Sequence, residues 1–99
     1  MNETEFQIRD QIFDYLKKTG VFAWKDKQES RKPGRGTMRT SRGVADILGI
    51  YKGRPLAIEV KKPDGTLSAI QWKWLTQHRN AGGITIVATS VEDVQKEIK

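Results

Sequence analysis

Two acids and a lysine sit where a buried strand has little use for charge. Glu59 falls inside Leu56-Ala57-Ile58-Glu59-Val60-Lys61, whose aliphatic and β-branched residues otherwise read as a buried strand. Side chains alternate along a strand, so Glu59 and Lys61 share one face while Ile58 and Val60 share the other. Asp46 lies upstream in Val44 to Tyr51, a second β-rich run. With Lys52 and Gly53 as the central turn residues, Tyr51 pairs with Arg54, and counting back sets Asp46 opposite Glu59. A three-residue loop would shift the pairing by one and part them. Opposed carboxylates have Cβ atoms ~5 Å apart and repel, and a divalent cation between them removes the conflict. All-oxygen donors favour Mg²⁺ or Mn²⁺ over zinc, and Mg²⁺ takes one or two carboxylates with waters and phosphate oxygens. Asp46, Glu59 and the carbonyl of Val60 are the candidate ligands. Lys61 is the candidate to deprotonate or position an attacking water and to steady charge developing on phosphorus. The chemistry implied is metal-assisted cleavage of a phosphodiester. The plainer alternative is a solvent-facing Glu59–Lys61 ion pair on an edge strand.

The elements that must position these residues are legible from periodicity. Ile8, Ile12 and Leu16, widened by Phe6 and Phe13, predict an amphipathic helix over Glu3 to Lys18, ended by Gly20. Val21 to Trp24 is a short strand candidate. Val44 to Tyr51 and Pro55 to Lys61 form a hairpin, and Pro63-Asp64-Gly65 makes a turn. Ser68 followed by Gln71 is a capping box for a helix to about Ala81, stopped by Gly82 and Gly83. Ile84 to Thr89 is a strand, and Ser90 caps a last short helix to about Ile98. The expected class is α/β: a small mixed β-sheet with a central hairpin flanked by helices, order αβββαβα. The helical crossover permits the last strand to pair parallel with a hairpin strand.

Composition bounds the rest. With 99 residues and 36% hydrophobic content, one domain spanning residues 1–99 is expected. The absence of cysteine excludes disulfides and thiolate zinc sites and fits a reducing compartment. Neither a secretion signal nor an apolar run long enough for a bilayer is seen, so a cytoplasmic, soluble chain with no membrane partner is expected. The net charge of +6 suits nucleic acid. Seven cations against Asp26 and Glu29 place five of those six charges in residues 25–43, a Gly-, Pro- and Ser-rich basic loop or arm. Arg31, Lys32, Arg35, Arg39 and Arg42 within it, and Lys62 beyond it, are the candidate phosphate contacts; a solvated loop without contacts is the alternative.

Gly43-Val44-Ala45-Asp46-Ile47-Leu48-Gly49, then Ala57-Ile58-Glu59-Val60-Lys61, then Leu67-Ser68-Ala69-Ile70-Gln71, resemble the PD-(D/E)xK nuclease superfamily and within it the VRR-NUC family. The resemblance implies a single nuclease domain with a restriction-endonuclease-like core and divalent-metal-dependent DNA cleavage. Asp46 and Glu59 would be metal ligands and Lys61 the catalytic lysine. It also implies a homodimer resembling Holliday-junction resolvases, which cut branched DNA. Ala45 stands where the superfamily name has Pro.

Two residues carry competing readings. Glu5 sits on the Ile8, Ile12, Leu16 face; related resolvases use a helix-borne Glu, but Asn2-x-x-Glu5 is also a capping box. Gln71 resembles the family glutamine that contacts the catalytic lysine or water, but Ser68 capping explains it equally. Trp72, Trp74 and Leu75 read as packing or dimer surface, with base-stacking platforms as the alternative. His78, the only histidine, reads as a surface residue near a helix end. The leading expectation is an Mg²⁺- or Mn²⁺-dependent endonuclease without organic cofactor, structure-selective on four-way junctions or other branched DNA. A flap or nicking nuclease and a non-catalytic basic DNA-binding module are the alternatives.

Overall fold

The computed structural model describes residues 3–26 and 43–98. Helix α1 spans Glu5–Lys18 and buries Ile8, Ile12 and Leu16, one residue every four along a single stripe. Complete burial of each such side chain contributes about 1.5–3 kcal/mol relative to exposure. Its N-terminus is set by a capping box between Thr4 and Gln7, in which each side chain bonds the other's backbone N–H at 3.1 and 2.8 Å. This corrects the Asn2–Glu5 box: Glu5 is the first helical residue, and Asn2 lies outside the described residues. Thr19 closes the helix and Gly20 follows with φ +79°, the left-handed step that glycine takes without penalty.

Strand β1 is Phe22–Lys25, β2 is Ile47–Tyr51 and β3 is Arg54–Val60. After helix α2, Ala69–Asn80, come β4, Ile84–Ala88, and α3, Val91–Gln95. The four strands form one mixed sheet in the order β1-β2-β3-β4, antiparallel except for the β3–β4 pair. Lys52 and Gly53 both have positive φ, 50° and 81°, so the β2–β3 hairpin turns on two residues and Tyr51 pairs with Arg54. The hairpin therefore occupies the two central sheet positions.

The sheet is covered unequally. On one face, Ile47, Leu56, Ile58, Val60, Ile86 and Ala88 pack with α1 and with Val94 and Ile98. On the other, Ala45, Ala57 and Leu75 of α2 form a smaller cluster joined by Leu48, Leu67 and Trp74. Leu56 to Val60 are all buried, as expected of a strand covered on both faces.

Two boundaries differ from expectation by more than two residues. Strand β2 begins at Ile47, not Val44, because Asp46 turns its carboxylate to the backbone of β3. Helix α3 ends at Gln95, and Ser90 makes no side-chain cap. Asp93 reaches back instead, accepting from the Thr89 N–H at 2.8 Å and its hydroxyl at 3.1 Å. Among the described residues no helix is long and apolar enough to cross a membrane.

Candidate active site

Glu59 is the one charged side chain fully buried among the described residues, 2% exposed. It lies in β3 on the face covered by α2, since Ile58 and Val60 turn to the α1 face. Burying a carboxylate is costly without compensating hydrogen bonds or a counter-charge. Both are supplied here. Gln71 Nε2 donates to Glu59 Oε2 at 3.0 Å, and the Lys61 ammonium lies 3.5 Å from the same oxygen. Lys61 Nζ in turn donates to Gln71 Oε1 at 2.9 Å, closing a three-membered network. The Lys61 side chain is 14% exposed, so its charge sits at the border between this network and solvent.

Gln71 is presented by the first turn of α2. Ser68 caps that turn, accepting from the Gln71 N–H at 3.2 Å, while Gln71 Oε1 accepts from the Ser68 N–H at 2.9 Å. The two readings of Gln71 are thus not exclusive: one amide closes the capping box and ties Lys61 to Glu59.

Asp46 is placed by the end of β2. The ladder runs from Tyr51 opposite Arg54 to Ile47 opposite Ile58, and the next step outward sets Asp46 beside Glu59. There the regular ladder stops, and the Val60 N–H donates to Asp46 Oδ2 at 2.8 Å in place of a strand carbonyl. The Asp46 carbonyl accepts from Asp26 N–H at 2.8 Å, which fixes the chain where it leaves β1. Glu5, Phe6 and Arg9 of α1 line a small cleft together with Asp46 and Val60. Of the residues expected at the site, the structure therefore brings Lys61, Glu59 and Gln71 into one bonded group, and Asp46, Val60 and Glu5 into one cleft at the same sheet end.

The donor set fits a hard cation: Asp46, Glu59 and the Val60 carbonyl offer only oxygen, and Mg²⁺ accepts as few as one or two carboxylates. Among the described residues no three His, Cys, Asp or Glu side chains gather into a cage, so such an ion would keep waters and substrate oxygens in its shell.

Arg9 was not anticipated. Its guanidinium stacks over the Phe6 ring at 4.7 Å and is 12% exposed on the side chain, placing a cation at the Asp46 cleft. The spacing that could have revealed it is in the sequence: Glu5 and Arg9 are four apart and share a helix face.

Other expectations resolve differently. Arg31, Lys32, Arg35, Arg39 and Arg42 lie outside the described residues, and Lys62 is exposed just beyond Lys61. Lys25, the first residue of the expected basic segment, instead closes β1 and bonds Asp10 at 2.8 Å, an interaction that holds the Asp10 carboxyl below its usual range. Trp74 and Leu75 pack, whereas Trp72 is 60% exposed and does not. His78 is not a free surface residue: its ring stacks on Trp74 at 5.2 Å, Nδ1 lies 2.8 Å from Thr85 Oγ1, and burial pushes its pKa down. Compared with known proteins, the sequence matches no family model and no curated protein.

Proposed function

We propose that this protein is a divalent-metal-dependent endonuclease that hydrolyses phosphodiester bonds in DNA, built on a restriction-endonuclease-like core. The observation that carries this reading is Glu59, a carboxylate buried in a central strand and locked to Lys61 through Gln71 beside the strand end that bears Asp46. An ion pair serving stability alone would gain nothing from such burial. Asp46, Glu59 and the Val60 carbonyl would hold Mg²⁺ or Mn²⁺, which when bound polarises the phosphoryl oxygen and acidifies a bound water. Lys61 donates to the phosphate as negative charge grows there. Gln71 fixes the direction of the ammonium. The lysine-bearing motif resembles that of nucleases that act as homodimers on four-way junctions, and branched DNA is the substrate we favour.

A second reading has its own support: Glu59 is already bonded within the protein, an arrangement that is also compatible with a DNA-binding module that does not cut. Labelled four-way junctions and linear duplexes, incubated with and without Mg²⁺ or Mn²⁺, separate the two. Metal-dependent cleavage that falls about 10²–10³-fold in Asp46→Asn and Glu59→Gln is expected. Variants as active as the parent protein would end the catalytic reading.

A further inference from the structure

The outer flank of α2 is without an explanation in the fold. Gln71, Trp74, Leu75 and His78 turn inward, and on the other side Trp72, Thr76 and Arg79 fall in one row at helical spacing, with Lys73 beside it. Trp72 is 60% exposed. Single exposed apolar side chains are common, but this one stands on a helix of twelve residues that contains no Asp or Glu and carries Lys73, His78 and Arg79. An exposed indole on a helix whose outward charges, Lys73 and Arg79, are both positive is complementary to a ligand that is both anionic and flat. A nucleic-acid base on its phosphate backbone meets both conditions, and stacking is tolerant of sequence because every base has a π-face.

We infer that this flank of α2 binds a single-stranded DNA segment, with one base stacked on Trp72 and the adjoining phosphates on Lys73 and Arg79. The inference rests on the nuclease reading for its context: Trp72 and Gln71 share the first turn of α2, so a strand held on this flank passes the helix end that carries Gln71 into the Glu59–Lys61–Gln71 network. Unpaired strand beside the site is what a flap or splayed arm presents, and a continuous duplex or a fully paired four-way junction does not, so this site favours the flap-cutting alternative within the same chemistry. The substrate class thereby narrows to DNA with an unpaired segment at the point of cutting.

The full chain is titrated with a short oligothymidylate in EDTA and low salt, reading tryptophan emission; Trp24→Phe serves as background to reduce signal from elsewhere. Quenching is expected in the parent and in Trp24→Phe. Trp72→Leu should abolish most of it and weaken binding about tenfold, with far-UV circular dichroism unchanged. Lys73→Ala with Arg79→Ala should flatten the logarithmic salt dependence by about 1.4, at about 0.7 per phosphate on single strands. Retained quenching and affinity in Trp72→Leu overturns the inference. So does equal quenching by polyglutamate, which would show charge alone being read, or a Trp72→Leu shift in oligomeric state without loss of oligonucleotide binding. No cleavage enters these measurements: absence of quenching in the parent protein refutes this site alone, whereas quenching in the parent that Trp72→Leu removes, without metal-dependent cutting, refutes the nuclease reading alone.

Discussion

The amide of Gln71 makes three side-chain hydrogen bonds, accepting from the Ser68 N–H and from Lys61 Nζ and donating to Glu59 Oε2. Gln71→Glu keeps both acceptor roles but turns the donor into an oxygen facing a buried carboxylate. It should therefore destabilise the fold by about 2–3 kcal/mol, more than the about 1–2 kcal/mol expected for Gln71→Ala, which merely loses the cap and the tie. Urea denaturation ranks the two, and the reverse order would mean that the Glu59 bond carries little. His78 makes a second residue-level prediction. Burial lowers its folded pKa below the ordinary 6.5, so the unfolded chain binds the proton more readily. Stability from this group is fully present above about pH 6.5 and is lost as pH falls through the lower folded value. Between about pH 7.5 and about pH 5 the urea midpoint should drop further in the parent than in His78→Gln. Equal drops would assign the pH dependence to other groups.

Helix α1, the two-residue hairpin and the α2 capping box were legible because each rests on local signals: an apolar stripe every fourth residue, a Lys-Gly turn, and Ser68 with Gln71. The start of α1 was misread because Asn2-x-x-Glu5 and Thr4-x-x-Gln7 are both box patterns, and sequence alone does not rank them. The start of β2 and the residue that caps α3 differ from expectation for one shared reason: Asp46 and Asp93 bond backbone groups that only folding brings near. At the site the hairpin register made Asp46 and Glu59 neighbours on paper, while the partners of Glu59 depended on α2 folding back over β3. The fit of His78 under Gly83 was hidden for the same reason. A Cβ on Gly83 would fall within the His78 ring, which α2 and β4 hold from both sides. Gly83→Ala should lower stability by about 1–3 kcal/mol through this overlap. Adding His78→Ala should recover part of the loss, since the two changes share one contact. Strict additivity in thermal melts would place the strain elsewhere.

Charge is the property that only the whole molecule expresses. Five of its six net positive charges fall in residues 25–43, yet they are not equivalent. Lys25 is bonded to Asp10 and packs over Phe13 at 5.1 Å, so its charge is neutralised within the fold. The arginines at 35 and 39 belong to residues 27–42, outside the described structure, and sequence gives them no nearby acid except Glu29. Cations that meet phosphates release counterions, and each phosphate neutralised on duplex DNA steepens the logarithmic salt dependence by about 0.9. Arg35→Ala with Arg39→Ala should therefore flatten that slope by about 1.8 and weaken binding alike on unrelated sequences, because phosphate contacts carry no base information. Lys25→Ala should leave the slope nearly unchanged and cost at most about 0.5–1 kcal/mol of stability, as a partly exposed ion pair. Binding measured by anisotropy across a salt series, without divalent metal, distinguishes them. If Lys25→Ala flattens the slope as much as the arginine pair does, the net charge acts as an undivided field and residues 27–42 hold no privileged contact with DNA.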